Sequence, residues 1–126
     1  EEAALALELR RVLGAAQLRV AATAVRVPVF FGHSAALTVE TRRKISAAEA
    51  RTLLQAARGV EVLDQARAGG YPTPVQAANH DTVYVGRIRE DMSHDRGLLL
   101  WVVADNVRRG ALNSVQIAEI LVRDHL

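Results

Sequence analysis

Apolar residues recur along this chain with two different periods, and the switches between them mark out the elements. Leu5, Leu9, Val12 and Leu13 fall at i, i+4, i+7 and i+8 within residues 1–13, all strong helix formers, and Gly14 supplies a stop. Residues 17–29 are β-branched and apolar and predict a long strand with Pro28 near its end. Gly32 marks a turn over 30–34, and 36–41 alternate as a short strand. Ser46 and Glu49 form a capping-box pattern that opens a helix over 46–58, before Gly59. A short strand follows at 60–63. Residues 65–79 hold Gly69, Gly70, Pro72 and Pro74 and predict an irregular loop. The strand at 82–89 contains Gly86, which signals a bulge or a close backbone approach. After a polar turn at 91–96, the unbroken apolar run 98–104 predicts a strand covered on both faces. A helix closes the chain over 112–126, with Leu112, Val115, Ile117, Ala118, Leu121 and Val122 on its apolar side.

The order α-β-β-α-β-β-β-α predicts an α+β fold: a mostly antiparallel mixed sheet with helices packed on one face. A chain of 126 residues, half of them hydrophobic, is one domain with a core of its own. The connection over 65–79 exceeds the usual loop length, so it is either a functional loop or an arm that packs on another chain.

Composition removes several classes. There is no cysteine, hence no disulfide framework, thiolate metal site or thiol nucleophile. Fifteen of the sixteen basic residues are Arg, yet fourteen acidic residues are interleaved with them and the net charge is only +2. No basic stripe exists, which argues against nucleic acid. No apolar run reaches the length of a membrane span, and no signal peptide is visible. The chain starts inside a helix and without Met, so a longer parent protein is expected.

Candidate chemistry concentrates at few positions. Arg26 interrupts an apolar run; it either points outward, pairs with a Glu, or grips a carboxylate ligand through its planar fork. His33, between Gly32 and Ser34, is either an ordinary surface residue of a turn or a general acid/base. Asp105-Asn106 ends the apolar strand, where turn chemistry and sites both occur. Residues 86–89 offer a bulge first and an anion contact second. His80, His94 and His125 have no ligand spacing, so no metal site is assigned, and no glycine-rich phosphate loop is present.

Three longer segments go further: TAVRVPVFFGHS at 23–34, VYVGRIRED at 83–91 and LWVVADNVRRGALNSVQIAEIL at 100–121. In content, order and spacing the chain resembles the C-terminal part of the aspartate-semialdehyde dehydrogenase family, over essentially all of 1–126. The resemblance implies a dimerisation-domain fold of the semialdehyde dehydrogenase type. It implies the NADP-dependent interconversion of L-aspartyl 4-phosphate and L-aspartate 4-semialdehyde, in lysine, threonine and methionine biosynthesis, through a thioester on a Cys. By the same resemblance Arg26 binds the substrate carboxylate, His33 is the catalytic acid/base, Glu1 contacts the substrate amino group, and Asn106 serves the nicotinamide side of the cofactor site. The family's phosphate-holding Lys falls on Ala4, a departure, and the segment Gly110-Ala111-Leu112-Asn113 is one Ala shorter than the family's. The NADP-binding domain, glycine-rich loop and catalytic Cys are expected upstream of Glu1, so the chain alone is expected to be inactive. A cytoplasmic homodimer or tetramer acting on a small molecule, without nucleic acid or membrane, is implied. The alternatives are a non-catalytic paralogue, which Ala4 favours and His33 disfavours, and a stand-alone dimerisation module.

Overall fold

In the computed structural model, which describes residues 1–125, the first helix α1 (Glu2–Val12) carries no buried side chain and no side-chain cap. Leu13 and the left-handed Gly14 (φ 59°) end it. The strand expected over 17–29 does not form. That stretch runs back beside α1, tied by side chains of the helix: Arg10 Nε donates to the Leu18 carbonyl (2.8 Å), and the Ala24 amide donates to Glu2 Oε1 (2.7 Å). The reason is physical. β-Branched content describes a fit to a pleated, half-buried surface, and a strand also needs a neighbour to complete its ladder. Among the described residues nothing pairs with 17–29.

The remaining elements are β1 (His33–Glu40), α2 (Ala47–Gln55), β2 (Val60–Val62), α3 (Pro74–Ala77), β3 (Val83–Glu90), β4 (Gly97–Ala104) and α4 (Asn106–His125). They make one four-stranded sheet in the order β1-β4-β3-β2. β1/β4 and β3/β4 are antiparallel, and the short β2/β3 pair is parallel. The fold class is therefore the α+β, mostly antiparallel mixed sheet that the pattern predicts. β4, the apolar run, sits between β1 and β3 as a central strand.

Alternation along β4 sends its side chains to two faces, and each face has its own core. On one face α2 lies across the sheet: Ala50 packs with Val85, Ile88 and Leu98, flanked by Leu54, Leu100 and Val102. On the other, Val103, Tyr84 and Ala77 form a smaller cluster with Leu63 and Trp101, so α3 lies opposite α2. The indole Nε1 of Trp101 donates to the Pro72 carbonyl (2.9 Å) and fastens the 64–80 connection over this face. That connection is not wholly irregular. Thr73 and Gln76 form a capping box with Pro74 at the first turn of α3.

Gly86 serves both purposes that its place in the strand suggests. A Cβ there would collide with the Leu63 carbonyl and Pro72. The register with β4 also shifts between Gly86 and Arg89, leaving one extra residue in β3, and Arg87 takes a left-handed φ of 54°. The bulge resets the alternation. Ile88, three residues after Val85, would otherwise face away from it; instead both lie in the α2-side core. Arg51 of α2 reads the bulge directly, donating from Nη2 to the Ile88 carbonyl (2.6 Å) and from Nε to Asp64 (2.7 Å).

Two boundaries differ from expectation in ways that matter below. β1 begins at His33, so the residues expected to make a turn open a strand. The last helix begins at Asn106 and carries Gly110 within it, rather than starting near 112; its expected final residue, Leu126, lies outside the described residues.

Candidate functional site

The site is built where β1 starts and β4 ends. His33 pairs in register with Ala104, so the imidazole-bearing backbone sits beside the strand end that leads into Asp105 and Asn106. Gly32 permits this approach. It is left-handed (φ 89°), and a Cβ on it would stand 3.1 Å from the Ala104 carbonyl oxygen. Two residues later α4 begins. The topology thus brings His33 and Asn106, 73 positions apart in sequence, to one corner of the sheet.

Arg26 lies in the extended segment that leads into β1. Its guanidinium engages Glu1 with both terminal nitrogens, Nη2 to Oε2 at 2.7 Å and Nη1 to Oε1 at 3.2 Å. This parallel two-bond grip is how a planar fork takes a carboxylate. The grip holds the Glu1 carboxyl below its ordinary range, first through the Arg26 hydrogen bond and then through its charge, with a smaller pull from His33; reciprocally it raises Arg26. Both partners of the pair stay wet, at 81% and 60% side-chain exposure, so the pair contributes little to stability and another carboxylate can displace Glu1. Of the readings open for Arg26, outward-pointing and paired with a Glu are thus both met, and a fork free to grip an added carboxylate is compatible with them. Ala4, on the exposed surface of α1, brings no charge to this corner.

Behind the exposed groups stands Asp105, at the strand end where turn chemistry and sites both occur. Asp105 is 5% exposed, the buried charged residue of the described chain. Its Oδ1 accepts the Val107 and Arg108 amides of α4 (both 3.1 Å), and its Oδ2 accepts the Asn79 amide (3.0 Å). The Arg108 and Asn79 amides lower its carboxyl most; burial works against them and loses. The signal was present as an Asp one residue ahead of a helical run, an N-cap pattern, but the helix had been expected six residues later. A second clip lies beside it. Arg108 Nε bonds Asp81 Oδ1 (2.7 Å), and Arg109 donates to the Asp81 carbonyl (3.0 Å).

Arg87 and Arg89 lie elsewhere, lining an open groove of about 300 Å³ with Tyr71, Pro72 and Trp101. None of Glu1, Arg26, His33 and Asn106 lines it. Among the described residues no group of three His, Cys, Asp or Glu is arranged to hold a metal ion, and no helix is long and apolar enough to cross a membrane.

Comparison with known proteins adds to this geometry. Residues 1–109 match the family model described as semialdehyde dehydrogenase, dimerisation domain. The chain is 49% identical over 128 residues to the aspartate-semialdehyde dehydrogenase of Legionella pneumophila and 47% identical over 127 residues to that of Aquifex aeolicus. In each case all of this chain is covered, but only 37% of the relative. Among solved structures it is similar to aspartate semialdehyde dehydrogenase II of Vibrio cholerae in complex with ASA, at a TM-score of 0.93 and 46% identity, over 99% of this chain and 37% of that one. A probable aspartate-semialdehyde dehydrogenase from Pseudomonas aeruginosa matches 79% of this chain and 29% of its own, at a TM-score of 0.71 and 38% identity.

Proposed function

The chain belongs to the semialdehyde dehydrogenase family, through its dimerisation domain, and on that premise we propose that it is the C-terminal portion, residues 1–126, of an NADP-dependent aspartate-semialdehyde dehydrogenase. The observation that carries this reading is the two-bond seat of the Glu1 carboxylate in the Arg26 fork, seven residues ahead of His33 in the chain. The seat has the form a substrate carboxylate needs.

Each residue then has a task that its chemistry suits. The substrate carboxylate replaces Glu1 in the Arg26 fork, one carboxylate for another, and the released Glu1 accepts from the substrate ammonium. His33 takes the proton of the hydroxyl formed when a thiol adds to the aldehyde, and returns it in the reverse direction. That thiol comes from outside this chain, which has no cysteine, so the 126 residues alone are expected to be inactive. Asn106 is suited to one end of the cofactor: its exposed side-chain amide offers a donor and an acceptor, the complement of a carboxamide, at the start of α4. The cofactor supplies the hydride acceptor. The rest of its cradle is assigned to the upstream domain, and the assembly to a homodimer or tetramer acting on a small substrate in the cytoplasm.

Turnover of aspartate semialdehyde with phosphate and NADP by the protein that contains this chain is the test. His33→Ala should lower kcat by about 10²–10⁴-fold. Arg26→Lys should chiefly raise KM for the semialdehyde, since an ammonium cannot make the parallel grip. Absence of turnover in the unaltered protein would favour instead a relative that kept the fold and lost the reaction, the reading to which Ala4 points.

A further inference from the structure

We propose that Asp105 is a positioning residue, whose buried carboxylate sets Asn106 beside His33 by locking the first turn of α4 to the 79–81 connection. The assignment of Asn106 to the cofactor rests on the proposed function; the locking itself does not.

Three backbone amides converge on this one carboxylate, two from α4 and one from Asn79. The two oxygens divide the work. Oδ1 caps the helix, a task that Ser or Asn can also perform. Oδ2 accepts from Asn79, which neither replacement can do in the same pose: a Ser hydroxyl is one atom already engaged by the cap, and the second arm of Asn is a donor facing another donor. Asn79 is held in the left-handed region (φ 65°), so its amide points where it does because the local backbone is fixed there. Asp81, two residues on, takes Arg108 and Arg109 from the same helical turn. Asn106 therefore sits between two tethers to a connection that is itself fastened over the sheet through Pro72 and Trp101. On the other side His33 is held in register opposite Ala104, where a Cβ on Gly32 would crowd the Ala104 carbonyl. The interval between the imidazole and the Asn106 amide is set by one strand end and one buried carboxylate.

The test compares Asp105→Ser, which keeps the cap and loses the clamp, with Asp105→Asn, which keeps the cap and opposes the clamp. In the 126-residue chain, amide hydrogen exchange at Asn79 should quicken at least tenfold in both variants, while Val107 and Arg108 stay protected. The Asn106 side-chain amide resonances should move with it. Unchanged exchange at Asn79, or an unmoved Asn106, would overturn the proposal. In the catalytically active parent, Asp105→Ser should raise KM for the nicotinamide cofactor severalfold with little change in kcat, and should add almost nothing in an Asn106→Ala background. A plain loss of folded protein would instead lower the active fraction and leave KM alone, and full additivity with Asn106→Ala would also refute the positioning role. If the parent shows no turnover, the proposed function falls while the exchange result still decides the clamp.

Discussion

Truncating Ile88 to Ala probes the bulge that organises the sheet. Ile88 is 2% exposed and packs with Ala50, Val85 and Leu98 only because one extra residue in β3 turns it to the α2 side. The substitution removes three carbons, worth about 2.4 kcal/mol in lost transfer free energy at about 0.8 kcal/mol each. The void adds to this, since a small core with Arg51 bonded to the Ile88 carbonyl collapses poorly; the total should fall at about 3–4 kcal/mol, within the range for Ile→Ala. Ile88→Val should cost about 1 kcal/mol, and Leu53→Ala, on the exposed side of α2, under about 1 kcal/mol. Urea unfolding followed by circular dichroism and by Trp101 fluorescence reads all three, with an unchanged m-value confirming a comparable transition. A loss below about 1 kcal/mol for Ile88→Ala at constant m would refute the reasoning. Ile88 would then face solvent, and β3 would continue in simple alternation past Gly86.

Three further outcomes are expected. Arg87→Gly should be neutral or stabilising by up to about 1 kcal/mol, because glycine accepts the left-handed conformation freely, whereas Arg87→Val should lose about 1–3 kcal/mol; equal unfolding midpoints for the two would contradict the bulge geometry. Asp105, Asp81 and Glu49 all have carboxyls held below their ordinary values, by amide bonds and by Arg108 and Arg43 respectively. A depressed folded pKa gives stability that is present above the unfolded value and disappears as pH falls through the folded one. Unfolding midpoints should therefore be level near neutrality and drop below about pH 4, with a shallower acid limb in Asp105→Asn; a drop on the alkaline side of neutrality instead would contradict the assignment. Arg26→Ala should leave the thermal midpoint of the chain within error, since its pair with Glu1 is largely exposed, and a marked fall would show that the fork is structural.

How much was legible in the residues differs by element. β4 was readable because a central strand has both faces covered, and an unbroken apolar run is its direct trace. Ser46 and Glu49 marked the start of α2, and Gly86 announced the bulge. The segment 17–29 misled because a strand is a relation between two backbones, and propensity records only one of them. The capping role of Asp105 was not legible for a related reason: a cap can be recognised only once the helix start is known, and the apolar stripe pointed to a start near 112. In the candidate site Arg26 and His33 stood out as polar residues among apolar ones, whereas the placing of His33 beside the strand end that leads into Asn106 depends on the His33–Ala104 register, which no local pattern encodes.

The residues that hold the fold and those offered for chemistry occupy different environments, and the difference has a consequence. Val103 is fully buried and Ile88 nearly so, while Glu1, Arg26 and His33 are exposed. In open water a guanidinium and a carboxylate attract each other weakly, and the same pair excluded from water attracts several times more strongly. A carboxylate seat of real affinity at Arg26 therefore requires its surroundings to be dry. The sequence around it is suited to that and to little else: Val25, Val27, Val29, Phe30 and Phe31 all stand exposed on either side of the path from Arg26 to His33. Five large apolar side chains in seven residues are poor companions for solvent and good ones for a protein surface laid over them.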